Sequence, residues 1–351
     1  MSPLLTRRQT LTAMTGALAA TGFAAARTRS EAEPPTWRRG ADLPHAAQEI
    51  YPTAFRGGIL LAGGLVLVDG RSGAGVQTVW WNPRTDTWTH GPDLPAARHH
   101  PGLVGLDERV FAIGGFSRSA GAGWRMERTV FVLDAAMTGW SDGPPLPEPR
   151  AEFVSGVIGG RIVVTGGRRP RGDANAQYGD HGDVAGTLIL DPAFGTWRAA
   201  APAPSARNSA AAAVIDGRLH VVGGRRLTER GLVNVPTHEV YEPVSDRWDV
   251  RAPMPQGQGG LAAATFGGQL YAFGGEYFGA TSGVYKDTWV YDPAADAWAP
   301  LPPMPLPRHG LGAVTLSDGI HVIGGATEAG GRGRSRHHSV LAPSTAMPPA
   351  G

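Results

Sequence analysis

Residues 247–275 read RWDVRAPMPQGQGGLAAATFGGQLYAFGG. Trp248 opens the stretch, a Pro-rich turn follows, a small-residue run comes next, and a glycine turn leads into an apolar run closed by Gly274-Gly275. Runs this short, bounded by Pro and Gly, read as β-strands joined by turns. The same order recurs along the chain. Glycine pairs close apolar runs at Gly63-Gly64, Gly114-Gly115, Gly166-Gly167, Gly223-Gly224, Gly274-Gly275 and Gly324-Gly325, in the contexts ILLAGG, VFAIGG, IVVTGG, LHVVGG, LYAFGG and IHVIGG. Tryptophans recur at Trp37, Trp88, Trp140, Trp197, Trp248 and Trp298, each 26 residues before the first glycine of a pair. From the first glycine to the next tryptophan the distance varies from 24 to 31 residues. One part of the unit is rigid and the other takes insertions. After the variable part a further strand ends in VWWNP at 79–83, VYEP at 240–243 and VYDP at 290–293. The unit is therefore four strands, a to d, in about 51 residues.

Composition agrees. The 351 residues include 51 Gly and 30 Pro with only 18% charged, which favours turns over long helices. Hydrophobic residues at 42%, ten of them Trp, suffice for a large core. With no cysteine, disulfides, thiolate metal sites and thiol catalysis are excluded. Arg7 and Arg8 sit in an N-terminal leader, and without them thirty basic side chains balance thirty acidic ones. That balance argues against nucleic acid as a partner.

The pattern resembles the kelch repeat, whose period of roughly 50 residues marks one blade of a β-propeller. The resemblance covers residues 36–343. It implies an all-β, six-bladed propeller. Trp37 has no glycine pair before it, and no tryptophan follows His338-Ser339-Val340-Leu341-Ala342-Pro343. The N-terminal strand is thus expected to complete the last blade and close the ring, leaving no open edge. Trp81, Tyr241 and Tyr291, seven residues before their tryptophans, are expected to pack between blades, as are His220 and His321.

In such a meander the b–c and d–a connections emerge on one face, with strand a innermost, so chemistry is expected at the mouth of the central channel. Two slots report on it. At the start of strand a stand Arg98, Arg150, Arg207 and Arg308, with Ala47 and Gln258 in the same register, followed by Gln48-Glu49, His99-His100, Ala151-Glu152, Asn208-Ser209, Gly259-Gly260 and His309-Gly310. After the glycine pairs come Leu65, Phe116, Arg168, Arg225, Glu276 and Ala326. An arginine repeated in most blades ties blades together. The residues that break the repeat are the ligand-binding candidates: Glu49, His99, His100, Phe116, Glu152, Arg168, Asn208, Arg225, Glu276 and His309. Arginine grips carboxylates through paired hydrogen bonds, so a small polar or anionic ligand suits this set. The insertion at 168–186 carries three Asp, a His and a Tyr, but in no calcium-loop order, and reads as a lid or surface loop. Residues 330–336 read as a solvated loop. Neither a metal nor a cofactor is expected.

Thr6-Arg7-Arg8-Gln9-Thr10-Leu11, a weakly apolar run of 16 residues and Ala24-Ala25-Ala26 resemble a twin-arginine signal peptide. The run is too short to span a bilayer comfortably. The expected organisation is a signal at 1–26, a linker at 27–35, the propeller at 36–343 and a disordered tail at 344–351. Export to the periplasm or medium follows, with the mature chain a monomer lacking a membrane span. Two functional classes stay open. One is a binding module for a sugar, a peptide or another exported protein. The other is an enzyme resembling the N-acetylneuraminate epimerases, exported six-bladed kelch proteins acting without a cofactor. That resemblance implies Glu276 or Glu229 as proton shuttle and Arg168 or Arg225 on the substrate carboxylate. The chain also resembles the galactose oxidase central domain, but without cysteine its tyrosine–cysteine radical group cannot form.

Overall fold

The computed structural model describes residues 35–118, 123–229 and 231–342. The signal at 1–26, nearly all of the linker and the tail at 344–351 lie outside the described residues. Six four-stranded antiparallel sheets are arranged as a propeller. Blade 1 comprises Thr53–Phe55, Gly58–Ala62, Thr78–Asn82 and Thr87–His90 as strands a to d. Blade 6 takes Gly312–Leu316, Gly319–Ile323 and His338–Ala342 from the end of the chain and Thr36–Arg39 from its beginning. There Trp37 pairs with Leu341 and Arg38 with Val340, so the ring closes as the end effects of the repeat imply.

Each blade is covered on both faces by its neighbours, so the core is divided into six wedges, one at each blade interface. Across the closure, Ile59, Leu61 and Trp81 of blade 1 pack against Val314 and Ile323 of blade 6. The recurrent tryptophans pin these wedges at their outer edge. Trp88 Nε1 donates to Ala41 O at 2.9 Å, Trp298 Nε1 to Ala252 O at 2.9 Å, and Trp37 Nε1 to Pro302 O at 3.1 Å, each in the turn leaving the preceding blade. Tyr241 and Tyr291 donate to Asp246 and Asp296 at 2.7 Å, and Trp81 to Asp86 at 3.0 Å. His220 and His321 are buried packing residues, each facing a second histidine: His238 at 3.0 Å and His338 at 2.9 Å.

The glycine pair explains itself at Gly274-Gly275, where φ is +61° and +109°. Gly275 N donates to Arg308 O of the next blade at 3.0 Å. A Cβ on Gly274 would collide with that same carbonyl oxygen. The link recurs in every blade, from Gly64 to Arg98 O at 2.9 Å through to Gly325 to Ala47 O at 2.8 Å, which joins last blade to first. Four of these six carbonyls belong to the register arginines, the others to Gln258 and Ala47, and the arginine side chains are spent on structure. Arg98 donates to Thr129 Oγ1 at 2.7 Å, Arg308 to Gly324 O at 2.6 Å and His337 O at 2.8 Å, and Arg207 to Glu239 and Val221 O. Gln258 substitutes for arginine in blade 5, donating to Gly274 O at 2.7 Å.

The steric share of this motif is separable by experiment. Gly268 also has positive φ, at +77°, but an added Cβ would meet nothing within 4 Å. Gly268→Ala is expected to cost about 1 kcal/mol from backbone strain alone. Gly274→Ala should cost at least about 2 kcal/mol more, because a packed interface must shift. Denaturant unfolding of the two variants measures the difference, and equal losses would refute the interblade account.

Candidate functional site

Two chain segments per blade build the channel mouth. One residue of each d–a turn pairs in an isolated bridge with the residue after the glycine pair: Gln48 with Leu65, His99 with Phe116, Ala151 with Arg168, Asn208 with Arg225, Gly259 with Glu276 and His309 with Ala326. The two slots of the sequence are therefore one structure. The next residue of each turn is left-handed in all six blades: Glu49 (φ 56°), His100 (54°), Glu152 (55°), Ser209 (47°), Gly260 (69°) and Gly310 (56°). Four of these are not glycine, at about 1–2 kcal/mol of strain each. Backbone bonds run between them around the axis: His100 N to Glu49 O (3.1 Å), Glu49 N to Gly310 O (2.7 Å), Gly310 N to Gly260 O (2.8 Å), Gly260 N to Ser209 O (2.8 Å) and Ser209 N to Glu152 O (3.1 Å).

Polar side chains from five blades meet on this belt. His100 Nε2 donates to Glu49 Oε2 at 2.7 Å, and His100 Nδ1 lies 2.7 Å from His99 Nδ1. His99 stacks on Phe116, with centroids 4.9 Å apart and planes at 17°, and meets Trp124 edge-on at 4.3 Å. Opposite them, Arg225 Nη1 donates to Glu276 Oε1 at 2.7 Å, and Gly330 N donates to Glu276 Oε2 at 2.7 Å. His309 stands between the carboxylates, its Nδ1 3.3 Å from Glu276 Oε2 and 3.7 Å from Glu49 Oε1. The segment 330–336 is thus not a purely solvated loop, since its first amide closes over Glu276.

Burial and charge act against each other here. Burial opposes ionisation of Glu49, but the His100 imidazole, then His309 and Arg225, hold its carboxyl well below the usual range. Burial likewise disfavours the charged form of His100, and Glu49 overcomes it, raising His100 above 6.5. His99 goes the other way: burial and the adjacent His100 push it well below 6.5. Arg225 is penalised by burial but pushed up by Glu276, Glu152 and Glu49.

The blade 3 side of the mouth is more tightly tied. Arg168 is fully buried, stacks on the Tyr178 ring at 3.7 Å, and donates from Nη2 to His181 O at 2.9 Å and Tyr178 O at 3.2 Å. Its Nη1 and Nε make no hydrogen bond to protein. Asn208 donates to Asp183 Oδ1 at 2.8 Å, and Ser209 Oγ lies 3.4 Å from Glu152 Oε2. The insertion at 168–186 is ordered as a ribbon, with Arg168–Pro170 paired to His181–Asp183, not as a plain loop. Similar ribbons fill the b–c connections of blades 1, 2, 4 and 5. Glu229 stands apart, exposed at the tip of the blade 4 ribbon and outside this set of contacts. Its neighbour Arg230 lies outside the described residues.

Below the belt the innermost strands line a cavity of about 110 Å³, walled by Leu103, Phe153, Val154, Leu261, Leu311 and Tyr51 among others. Tyr51 was not singled out in the sequence. Burial raises its hydroxyl well above 10, and Glu49 and Glu152 raise it further. The signal was available: aligned two residues beyond each belt position, the other blades carry Gly102, Val154, Ala211, Ala262 and Gly312. Tyr178, His181 and Asp183 came from an insertion, where the repeat supplies no register.

The KLHDC2/KLHL20/DRC7 Kelch-repeats domain matches residues 103–325. The chain belongs to the Kelch-repeat family. Among curated proteins, this Kelch propeller is similar to Kelch-like protein terF of Aspergillus terreus, 28% identical over 222 residues, covering 62% of this chain and 47% of that protein. It is also similar to Beta-scruin of Limulus polyphemus, 26% identical over 227 residues, covering 63% of this chain and 24% of that protein. The match thus spans less than half the length of either relative. The solved structure of YjhT superposes with a TM-score of 0.71 at 16% identity, covering 86% of this chain and 95% of that one, a likeness of fold.

The Glu49–His100 pair sets a pH signature. A raised His100 value stabilises the fold below 6.5, and this is lost as pH climbs through the raised value. A lowered Glu49 value stabilises the fold above 4.5, and this is lost as pH falls through the lowered value. Both contributions are complete between 4.5 and 6.5. Imidazole NMR should place the His100 midpoint above 6.5 and move it down in Glu49→Gln, where burial acts with less opposition. An unmoved midpoint would remove Glu49 as the cause.

Proposed function

We propose that this Kelch propeller, exported by way of its twin-arginine segment, binds a small polar ligand at the channel mouth. The observation that supports the reading is the convergence at the mouth of buried ion pairs contributed by different blades. Arg225 comes from blade 4 and Glu276 from blade 5, while Glu49 precedes blade 1 and His100 precedes blade 2. Arg168 Nη1, Arg225 Nε and Asn208 Oδ1 are buried beside them without a hydrogen bond to protein. A buried polar atom left without a partner costs about 1–3 kcal/mol. A sugar acid, with one carboxylate and several hydroxyls, matches such donors and acceptors, and Tyr178 and Phe278 at the rim offer rings for its apolar faces. The depth of the charged groups favours a small ligand over a broad protein contact.

A second reading is interconversion of sugar anomers by side-chain acid–base groups. It is favoured by the 2.7 Å contact between Glu49 and His100, which sets a base beside an acid. The carboxyl of Glu49 is held low, however, not lifted toward neutrality as a proton-donating carboxyl requires. In this reading Glu49 receives the proton and His100 supplies it. Binding without turnover is therefore the primary reading.

Thermal-shift screening of the folded protein against neutral sugars, sugar acids and short peptides tests the proposal. A ligand present at a hundred times its dissociation constant adds about 2.7 kcal/mol of stability. The expected result is a rise with a sugar acid that disappears in Arg168→Ala and in Arg225→Ala, each compared with its own ligand-free melting temperature. No shift with any sugar or sugar acid, from a protein shown to be folded, would overturn it. NMR exchange between anomers of the bound sugar then separates binding from turnover.

A further inference from the structure

We propose that the mouth also holds a divalent first-row metal ion, ligated by Glu49, Glu276 and His309. The three residues lie 227 and 33 positions apart in the chain, and no ligand motif joins them in sequence. The ring brings them together from the turns entering blades 1 and 6 and the ribbon of blade 5, with one ligand atom of each inside 4.8 Å of the others.

The separations are those of metal ligands more than of hydrogen-bond partners. Bonds of about 2.0–2.1 Å at a tetrahedral angle set neighbouring ligand atoms about 3.3 Å apart. His309 Nδ1 stands 3.3 Å from Glu276 Oε2 and 3.7 Å from Glu49 Oε1. It hydrogen-bonds to neither, and Nε2 of the same fully buried ring has no partner either. The ring is therefore placed by the backbone, through His309 N to Ala326 O at 3.0 Å, and its Nδ1 is aimed between two carboxylates.

Each carboxylate is also oriented as a metal ligand is, by a donor on its other oxygen. Glu49 Oε2 accepts from His100, leaving Oε1 toward His309. Glu276 Oε1 accepts from Arg225, leaving Oε2 with one amide bond, from Gly330, and a second lone pair. The Arg225 charge sits on the far oxygen, where it limits affinity without occupying the ligating atom. One imidazole nitrogen with two carboxylate oxygens suits zinc and disfavours calcium and magnesium, which take oxygen ligands. Three protein ligands leave a fourth position for water or a ligand oxygen.

The ion's binding does not depend on the small-ligand reading, and its test reads metal alone. The full chain, untagged and stripped with EDTA, is titrated calorimetrically with zinc chloride. One ion per chain is expected, with no binding of calcium. Glu49→Gln and His309→Ala should each weaken zinc by more than the 10–100-fold expected of His100→Gln, which removes only the orienting partner. The exposed His90→Ala should leave affinity unchanged. Melting temperatures in EDTA certify each fold, and the near-isosteric Glu49→Gln carries the test should His309→Ala fail to fold. No equimolar zinc binding, or unchanged affinity in the folded ligand variants, overturns the proposal. A sugar-acid shift in EDTA with no zinc binding would leave the ligand reading standing alone, and zinc binding with no sugar shift would leave the metal alone.

Discussion

The hydrogen bond from the second glycine of each pair to the carbonyl that opens the next blade is the constraint on which the structure depends. It is short in every blade, 2.8–3.0 Å, and runs from one sheet to the next. It fixes two things together: the approach of adjacent blades, which a side chain on the first glycine would block, and the path of the d–a turn bearing that carbonyl. The outer tryptophan bonds then set the spacing at the rim. Between these two rings of contacts lie the six apolar wedges. A propeller built this way has six small cores, so its stability is distributed around the ring and its closure, through Gly325 to Ala47 and Trp37 to Pro302, matters as much as any other interface.

Because the turn is fixed at its carbonyl, the following two residues are delivered to the axis in a constant geometry. That is why polar groups separated by most of the chain come within hydrogen-bond reach. Glu49 and His309 are neighbours through the closure of the ring, and His100 reaches Glu49 from the next blade. The scaffold repeats the backbone and leaves the side chains free to differ. Backbone strain at the belt marks the same places, since four blades retain a side chain in a conformation that favours glycine.

What could be read beforehand follows from this division. The constant spacing from Trp248 to Gly274 was legible because it spans two turns and two strands of fixed length, and it carried the blade number and the closure by Trp37 with it. The two slots were legible as positions, and Glu49, His100, Arg225, Glu276 and His309 do meet at the mouth. Their pairing was not, because a pairing between blades depends on the left-handed turn residue, and nothing in a non-glycine residue's identity announces positive φ. Nor could the b–c insertions be read as ribbons. Their pairing, such as Arg168 with Asp183, depends on the ring placing the mouth beside them. Glu229 is comparable to Glu276 as a residue type, yet it lies four residues beyond the slot that Glu276 fills, which carries it along the ribbon to the exposed tip.

The two blades with glycine at the belt show how space in the mouth is divided. A Cβ on Gly310 would stand 2.9 Å from the carboxyl carbon of Glu49, and one on Gly260 would stand 3.0 Å from Arg225 Nη2. Blades 5 and 6 therefore give up their belt side chains to make room for charges from blades 1 and 4. They contribute instead from the slots beside the belt, through Glu276 and His309. A purely structural ring would have no reason for this exchange, since glycine at all six positions would relieve the strain. The retained side chains and the yielded ones interlock around the axis, so that six repeats of one backbone present a single asymmetric set of charges.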